Sequence, residues 1–242
     1  VGEAALWAGL AASTLILGAW LGASFDASPR AIGIVMGFGA GALIASVAFE
    51  LTEDAFDRGG TVPLTLGLAA GALAFFVGDL LVDRMGGSRR MRIAGDGDES
   101  APLALLVGAG LDAVPESLII GLTLVGGGSI EIAFLASVAI SNLPEGYASA
   151  AEQRRAGVHP ARILPRWLLI VALSAACGAI GYVVFADLSQ DVVAFTKAFG
   201  AGALLVMVLD TMAPEAFREA GPVAGLISVA GFAFAFLLGE VA

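Results

Sequence analysis

Eight apolar runs, each long enough to cross the hydrocarbon layer of a bilayer, limit what this chain can become. They fall at about 4–24, 31–52, 62–83, 101–125, 129–150, 164–186, 193–213 and 221–241, and about 20 mostly apolar residues suffice for a helical span. Backbone in lipid must bond to itself, which a helix does within one segment. The runs therefore predict an all-α polytopic membrane protein, a bundle of eight transmembrane helices. Composition agrees: of 242 residues 58% are hydrophobic and 14% charged, with a mean hydropathy of +0.91, whereas soluble domains carry about 25% charged residues. That excludes a soluble enzyme, a nucleic-acid binder and a disulfide scaffold. The single Cys177 lies inside an apolar run and can form neither an internal disulfide nor a thiol cluster. No positively charged leader precedes the first run, which reads as a span and not as a cleaved signal.

The basic residues set the expected orientation. With alternating spans, one side holds Arg30, Arg84, Arg89, Arg90, Arg92, Arg154, Arg155, Arg162, Arg166 and Arg218, and the other only Arg58 and Lys197. The positive-inside rule then puts both termini outside the plasma membrane and the basic segment 84–100 in the cytoplasm. Trp7, Trp20 and Trp167 read as interface anchors, and His159, beside Pro160, as a solvated loop residue. The formal net charge is −10 with a single Lys, which suits a chain solvated in high salt.

An internal repeat organises the spans. At an offset of 161 residues, Phe38-Gly39-Ala40-Gly41-Ala42-Leu43 aligns with Phe199-Gly200-Ala201-Gly202-Ala203-Leu204. Without a gap, Val47 then meets Val208, Ala55-Phe56 meets Ala216-Phe217, Gly60 meets Gly221 and Phe75 meets Phe236. Spans one to three thus repeat as spans six to eight. Five spans separate each helix from its copy, so the copies cross in opposite directions, as in inverted-repeat transporters. The expected organisation is a first three-helix repeat at 1–83, a loop at 84–100, a central two-helix hairpin at 101–150 turning at Gly126-Gly127-Gly128-Ser129, and a second three-helix repeat at 151–242.

The hairpin carries the chemistry. Leu111-Asp112-Ala113-Val114-Pro115-Glu116-Ser117 is echoed by Ile140-Ser141-Asn142-Leu143-Pro144-Glu145-Gly146. Each segment falls near the middle of its span, where an unpaired carboxylate costs at least about 2.5–3.5 kcal/mol. Asp112 and Glu116 are four residues apart, as are Ser141 and Glu145, so each pair shares a helix face. Pro115 and Pro144 cannot donate a backbone hydrogen bond; each bends its helix and frees the carbonyl four residues before it. Three carboxylates, an amide, a hydroxyl and two carbonyls then converge on one volume. All are oxygen donors, a set that asks for a cation.

These Pro-Glu segments resemble the metal-binding motifs of the ZIP (Zrt/Irt-like) family of metal transporters, and the resemblance extends over the eight spans, the inverted three-plus-two-plus-three order and the basic loop after span three. It identifies the chain as a divergent prokaryotic, haloarchaeal-type member. It implies transport of a divalent cation (Zn²⁺, Fe²⁺ or Mn²⁺) by alternating access, with spans one, four, five and six moving as one body against the others. The motifs carry over as metal ligands Asp112, Glu116, Ser141, Asn142 and Glu145. Relatives place a His three residues before the Pro; here those positions hold Asp112 and Ser141, and Ala113 cannot ligate. A single metal site of oxygen ligands is expected, with Mn²⁺, Mg²⁺, Ca²⁺ and Fe²⁺ suited about as well as Zn²⁺. The implied partners are the metal ion, the lipid bilayer and a second copy as a homodimer, with no nucleic acid and no prosthetic group.

Outside the hairpin, Glu50 near the outer end of span two and Asp210 in span seven are candidate pathway ligands, with Glu53 and Asp54 just beyond the span. Asp79 and Glu240 read as helix-end acids. An acid-dyad protease would split its pair between helices, and Asp112 and Glu116 share one, so no enzyme is expected. The alternatives to a carrier are a channel built on the same carboxylates and a metal-binding member without transport. Cysteines introduced between 86 and 98 should react with an impermeant thiol reagent only from the cytoplasmic side; labelling from outside intact cells contradicts the orientation.

Overall fold

The computed structural model describes residues 1–26, 28–84, 101–125, 130–155, 157–186 and 188–241. Of the expected loop at 84–100, Arg84 closes the third helix and the rest lies outside the described residues, as does the hairpin turn at 126–129. Eight helical segments are present among the described residues, with no strand: α1 (Gly2–Ser24), α2 (Pro29–Gly59), α3 (Thr61–Arg84), α4 (Ala101–Thr123), α5 (Ile132–Arg155), α6 (Pro160–Phe185), α7 (Gln190–Ala220) and α8 (Val223–Val241). Six of them, α1, α2, α3, α6, α7 and α8, are long and apolar enough to cross a membrane. The chain is an all-α polytopic membrane protein.

Local chemistry explains the helix ends. Ser28 Oγ accepts the Ala31 N–H at 3.2 Å and Pro29 follows it, a cap that fills an orphan donor at the start of α2. His159 does the same for α6, its Nδ1 accepting the Ala161 N–H at 3.2 Å ahead of Pro160. The lone histidine caps a helix.

Helices α2 and α7 run well past the expected span ends at 52 and 213. Glu53 and Asp54 therefore lie within α2 instead of beyond it, because Asp54 finds partners there in Arg58 and Lys197 and does not end the helix. The ends come at Gly60 (φ 69°) and Gly221 (φ 65°), left-handed positions that glycine adopts at no steric cost. Their N–H groups bond the carbonyls of Phe56 (2.7 Å) and Phe217 (2.9 Å). A π-helical turn interrupts each helix, Val47–Thr52 in α2 and Val208–Met212 in α7. Pro214 removes a donor just after the second, and the Thr52 hydroxyl donates to the Val47 carbonyl, five residues back, at 2.8 Å in the first. Both π turns and both glycine caps recur at the 161-residue offset.

The helices pack as two groups. Helix α1 lies most extensively against α5 and α6, and α4 against α6; α2 lies against α8 and α7, and α3 against α7. Inside each group backbones touch at glycine. A Cβ on Gly41 would overlap the carbonyl of Ser228, one on Gly231 that of Phe38, one on Gly71 that of Phe199, and one on Gly202 that of Leu68. In the other group Gly18, Gly146 and Gly181 meet the carbonyls of Leu143, Leu15 and Leu118 in the same way. Where the groups meet, the contact is instead with side chains, as between Gly200 and the Ile119 side chain, or looser, as at Gly39, whose Cβ would stand 3.0 Å from Ser141 Cα. Small residues let membrane helices approach this closely.

Trp167 is not an interface anchor. It is fully buried among Ala12, Leu15, Ala19 and Ala113, because α6 turns this face toward α1 and α4. Trp20 is exposed, stacked edge-on against Phe25.

Gly41→Ala and Gly202→Ala should each destabilise the protein by about 1–3 kcal/mol, the usual cost of overpacking, read as a lowered thermal midpoint in detergent. Gly225→Ala should leave the midpoint unchanged, since its Cβ would sit 3.4 Å from the Phe217 ring in ordinary contact.

Candidate metal centre

Pro115 and Pro144 lie inside α4 and α5. Around Pro115, Asp112 is 6% exposed and Glu116 3%, with Ser117 buried beside them. Around Pro144, Ser141 and Asn142 are buried and Glu145 is half-buried. Glu145 and Asp112 are the charged groups that act electrostatically on Glu116, so three carboxylates from two helices bear on one region. The Ser141 hydroxyl donates to the Val138 carbonyl of its own helix at 2.9 Å. The Asn142 amide donates to the Ala11 carbonyl of α1 at 3.4 Å, which holds its nitrogen toward α1. Among the described residues no three His, Cys, Asp or Glu side chains are already gathered at metal-ligand spacing. The carboxylates are neighbours, not a finished cage.

A polar file runs from this region along the α2–α5 seam toward the arginine-poor end of the bundle. Ser46 and Ser137, both buried, share a hydrogen bond of 3.0 Å; Ser137 donates to the Ala133 carbonyl at 2.7 Å, so Ser46 is the donor of the shared bond. Nearer the end, Glu50 Oε2 accepts the Phe134 N–H at 2.9 Å. Leu43, Val47, Leu51, Phe134 and Val138 pack around this file and are almost fully buried. On its other side Glu50 lines a pocket of about 150 Å³ with Glu53, Glu240, Phe49 and Phe236. Asp210, the other candidate pathway acid, is exposed on α7. Glu215, five residues on, is 6% exposed; its Oε1 lies 3.5 Å from Arg218 Nη2 and its Oε2 has no hydrogen-bond partner.

The arginine-poor end holds a network that sequence reasoning missed. Lys197 is not a surface base: it is 2% exposed, with Nζ 2.8 Å from both Asp54 Oδ2 and Glu131 Oε1. Asp54 also takes Arg58 Nε at 2.6 Å, and Arg58 Nη1 donates to Gln190 Oε1 at 3.0 Å. The repeat carried the signal, since Lys197 aligns with Met36, a buried position of α2. At the arginine-rich end Arg154 pairs with Asp26, and Arg166 Nη1 donates to Gln153 Oε1 at 3.1 Å.

No family model matches the chain. A protein of Arabidopsis thaliana provisionally named a zinc transporter is 27% identical to it over 200 residues, which is 81% of this chain and 32% of the relative. The chain thus spans about a third of that relative's length.

The Ser46–Ser137 bond generates a stability test. Ser137→Ala leaves a buried hydroxyl without its acceptor at a cost of about 1–3 kcal/mol. Adding Ser46→Ala should cost less than it does alone, with a coupling of about 0.5–1.5 kcal/mol in a double-mutant cycle of thermal midpoints. Strict additivity contradicts the bond.

Proposed function

We propose that the chain is a ZIP-type carrier of divalent metal ions, moving Zn²⁺, Fe²⁺ or Mn²⁺ across the plasma membrane by alternating access. The observation that carries this is the trio Asp112, Glu116 and Glu145, carboxyl groups on two helices with an internal proline, held far from either helix end. Like charges at short range in a poorly polarisable surrounding repel strongly, and a divalent cation between them removes that repulsion. Asp112, Glu116, Glu145, Ser141 and Asn142 form the proposed ligand set, with carbonyls freed by Pro115 and Pro144 in reserve. The name of the Arabidopsis relative supports metal transport in general.

In this proposal all eight helices span the bilayer, in a three-plus-two-plus-three order with both termini outside. The group α1, α4, α5 and α6 bears the ion and moves as one body against α2, α3, α7 and α8. Two features favour that division: the closest glycine-to-backbone contacts lie within each group, and at the seam Gly200 meets the Ile119 side chain while Gly39 stands further from the Ser141 backbone. Glu50 is the proposed outer pathway ligand, at one end of the seam's polar file, and Asp210 serves the opposite half. A second copy forming a homodimer belongs to the same proposal.

Glu116→Ala and Glu145→Ala should each lower metal affinity at least about 100-fold while the protein stays folded, because each removes a charged ligand; unchanged affinity in either variant sinks the site. Uptake into proteoliposomes should be saturable and stop in both variants, whereas single-channel currents would mark a pore, and binding without uptake a member that does not transport.

Protons compete with metal for carboxylate oxygens, so the apparent affinity should fall as pH drops through the mildly acidic range. Asp112→His should shift preference toward Zn²⁺ over Mn²⁺, since a borderline nitrogen replaces a hard oxygen. Affinity flat with pH in the parent, with unchanged preference in the variant, would remove Asp112 from the ligand set.

A further inference from the structure

We propose that Lys197 is an ionic latch that closes the arginine-poor side of the seam, and that the inverted copy of this latch is missing from the other side. The inference rests on the carrier proposal, which divides the helices into two bodies.

Asp54 and Lys197 belong to α2 and α7, helices of one group, and Glu131 directly precedes α5, a helix of the other. The 2.8 Å bond from Lys197 Nζ to Glu131 Oε1 therefore crosses the seam, while the equally short contact to Asp54 fixes the ammonium on its own body. Beside it the Glu50–Phe134 bond crosses between the same two groups. Lys197 is 3% exposed at its side chain and sits among acids, so moving Glu131 away would leave a buried cation with half of its compensation. Breaking such a pair on one side is far more costly than breaking an exposed one.

The 161-residue offset assigns the two members on α2 and α7 a counterpart at the arginine-rich end, while Glu131 belongs to the central hairpin and has none. Asp54 corresponds to Glu215 and Lys197 to Met36. The segments that hold the counterparts pack together: the one holding Glu215 lies on the first half of α2, where a Cβ on Gly37 would stand 3.6 Å from the Ala216 side chain. Both Met36 and Glu215 are buried, yet methionine cannot supply the charge, and Glu215 Oε2 has no hydrogen-bond partner. Among the described residues the buried lysine pair is built at one end only. In an inverted repeat the two ends exchange roles as the carrier turns over, so a lock present at one end biases the resting population. The buried Leu43, Val47, Leu51, Phe134 and Val138 fit that bias, since they close the seam on the latched side.

The test reads accessibility and needs no metal. In a Cys177→Ala background, a water-soluble maleimide reports on Val138→Cys in the latched half of the seam, or on Met36→Cys, buried toward the arginine-rich end of α2, with the chain in nanodiscs that expose both faces. Glu131→Gln removes the cross-seam charge and keeps Lys197 paired with Asp54, so it retains the fold if Lys197→Met does not. Glu131→Gln should raise the labelling rate at position 138 about tenfold, the effect of a population shift of that size, without raising the rate at position 36. Lys197→Met should do the same, and Lys197→Arg should restore the parental rate. An unchanged rate at position 138 in folded Glu131→Gln overturns the latch, as does an equal rise at both positions. If metal binding at Glu116 and Glu145 fails while labelling responds, the carrier assignment falls and the latch stands.

Discussion

Contact between backbones at glycine is the constraint on which the rest of this structure depends. Lipid tails are as apolar as leucine, so helices in a bilayer gain little by burying apolar side chains against one another and must instead approach closely. Gly41, Gly71, Gly202 and Gly231 do this in one group of helices, and Gly18, Gly146 and Gly181 in the other, each against a carbonyl that leaves no room for a Cβ. Such interfaces have little freedom to slide. The seam between the groups is looser and rests mainly on side chains, which can exchange partners.

The polar chemistry concentrates along that seam. Glu50 with the Phe134 N–H, Ser46 with Ser137, and Lys197 with Glu131, the residue before α5, all join one group to the other. The trio Asp112, Glu116 and Glu145 belongs to α4 and α5, both in the group proposed to move. Buried polar groups in a membrane are expensive and tend to face a bundle interior or a cavity, so in the proposed carrier their alignment on one surface marks where the protein works. The π turn of α2 meets this surface through Glu50, and its repeat copy lies in α7 of the same group.

Much of this was legible in the residues, and what was not has a physical cause. The apolar runs, the 161-residue offset and the polar hairpin are local patterns, readable along one helix at a time. The lengths of α2 and α7 were not, because acids such as Asp54 lower hydropathy just where a partner lets the helix continue. Lys197 and Trp167 escaped for the same reason. A lone base near a span end reads as solvated, and a lone tryptophan as an anchor, until the facing helix is known. For Lys197 the aligned Met36 was a usable clue, since a position buried in one copy tends to be buried in the other.

The measurement that bears most directly on the central claim is thermal unfolding of the purified chain across Mg²⁺, Ca²⁺, Mn²⁺, Fe²⁺, Co²⁺, Zn²⁺ and Cd²⁺. A cation that binds the folded site and not the unfolded chain stabilises by about 2.7 kcal/mol at one hundred times its Kd. The account predicts a saturable rise of the midpoint for at least one transition-metal ion, with one-site concentration dependence. A midpoint that stays flat for every cation at millimolar concentration would contradict a divalent-metal site in α4 and α5.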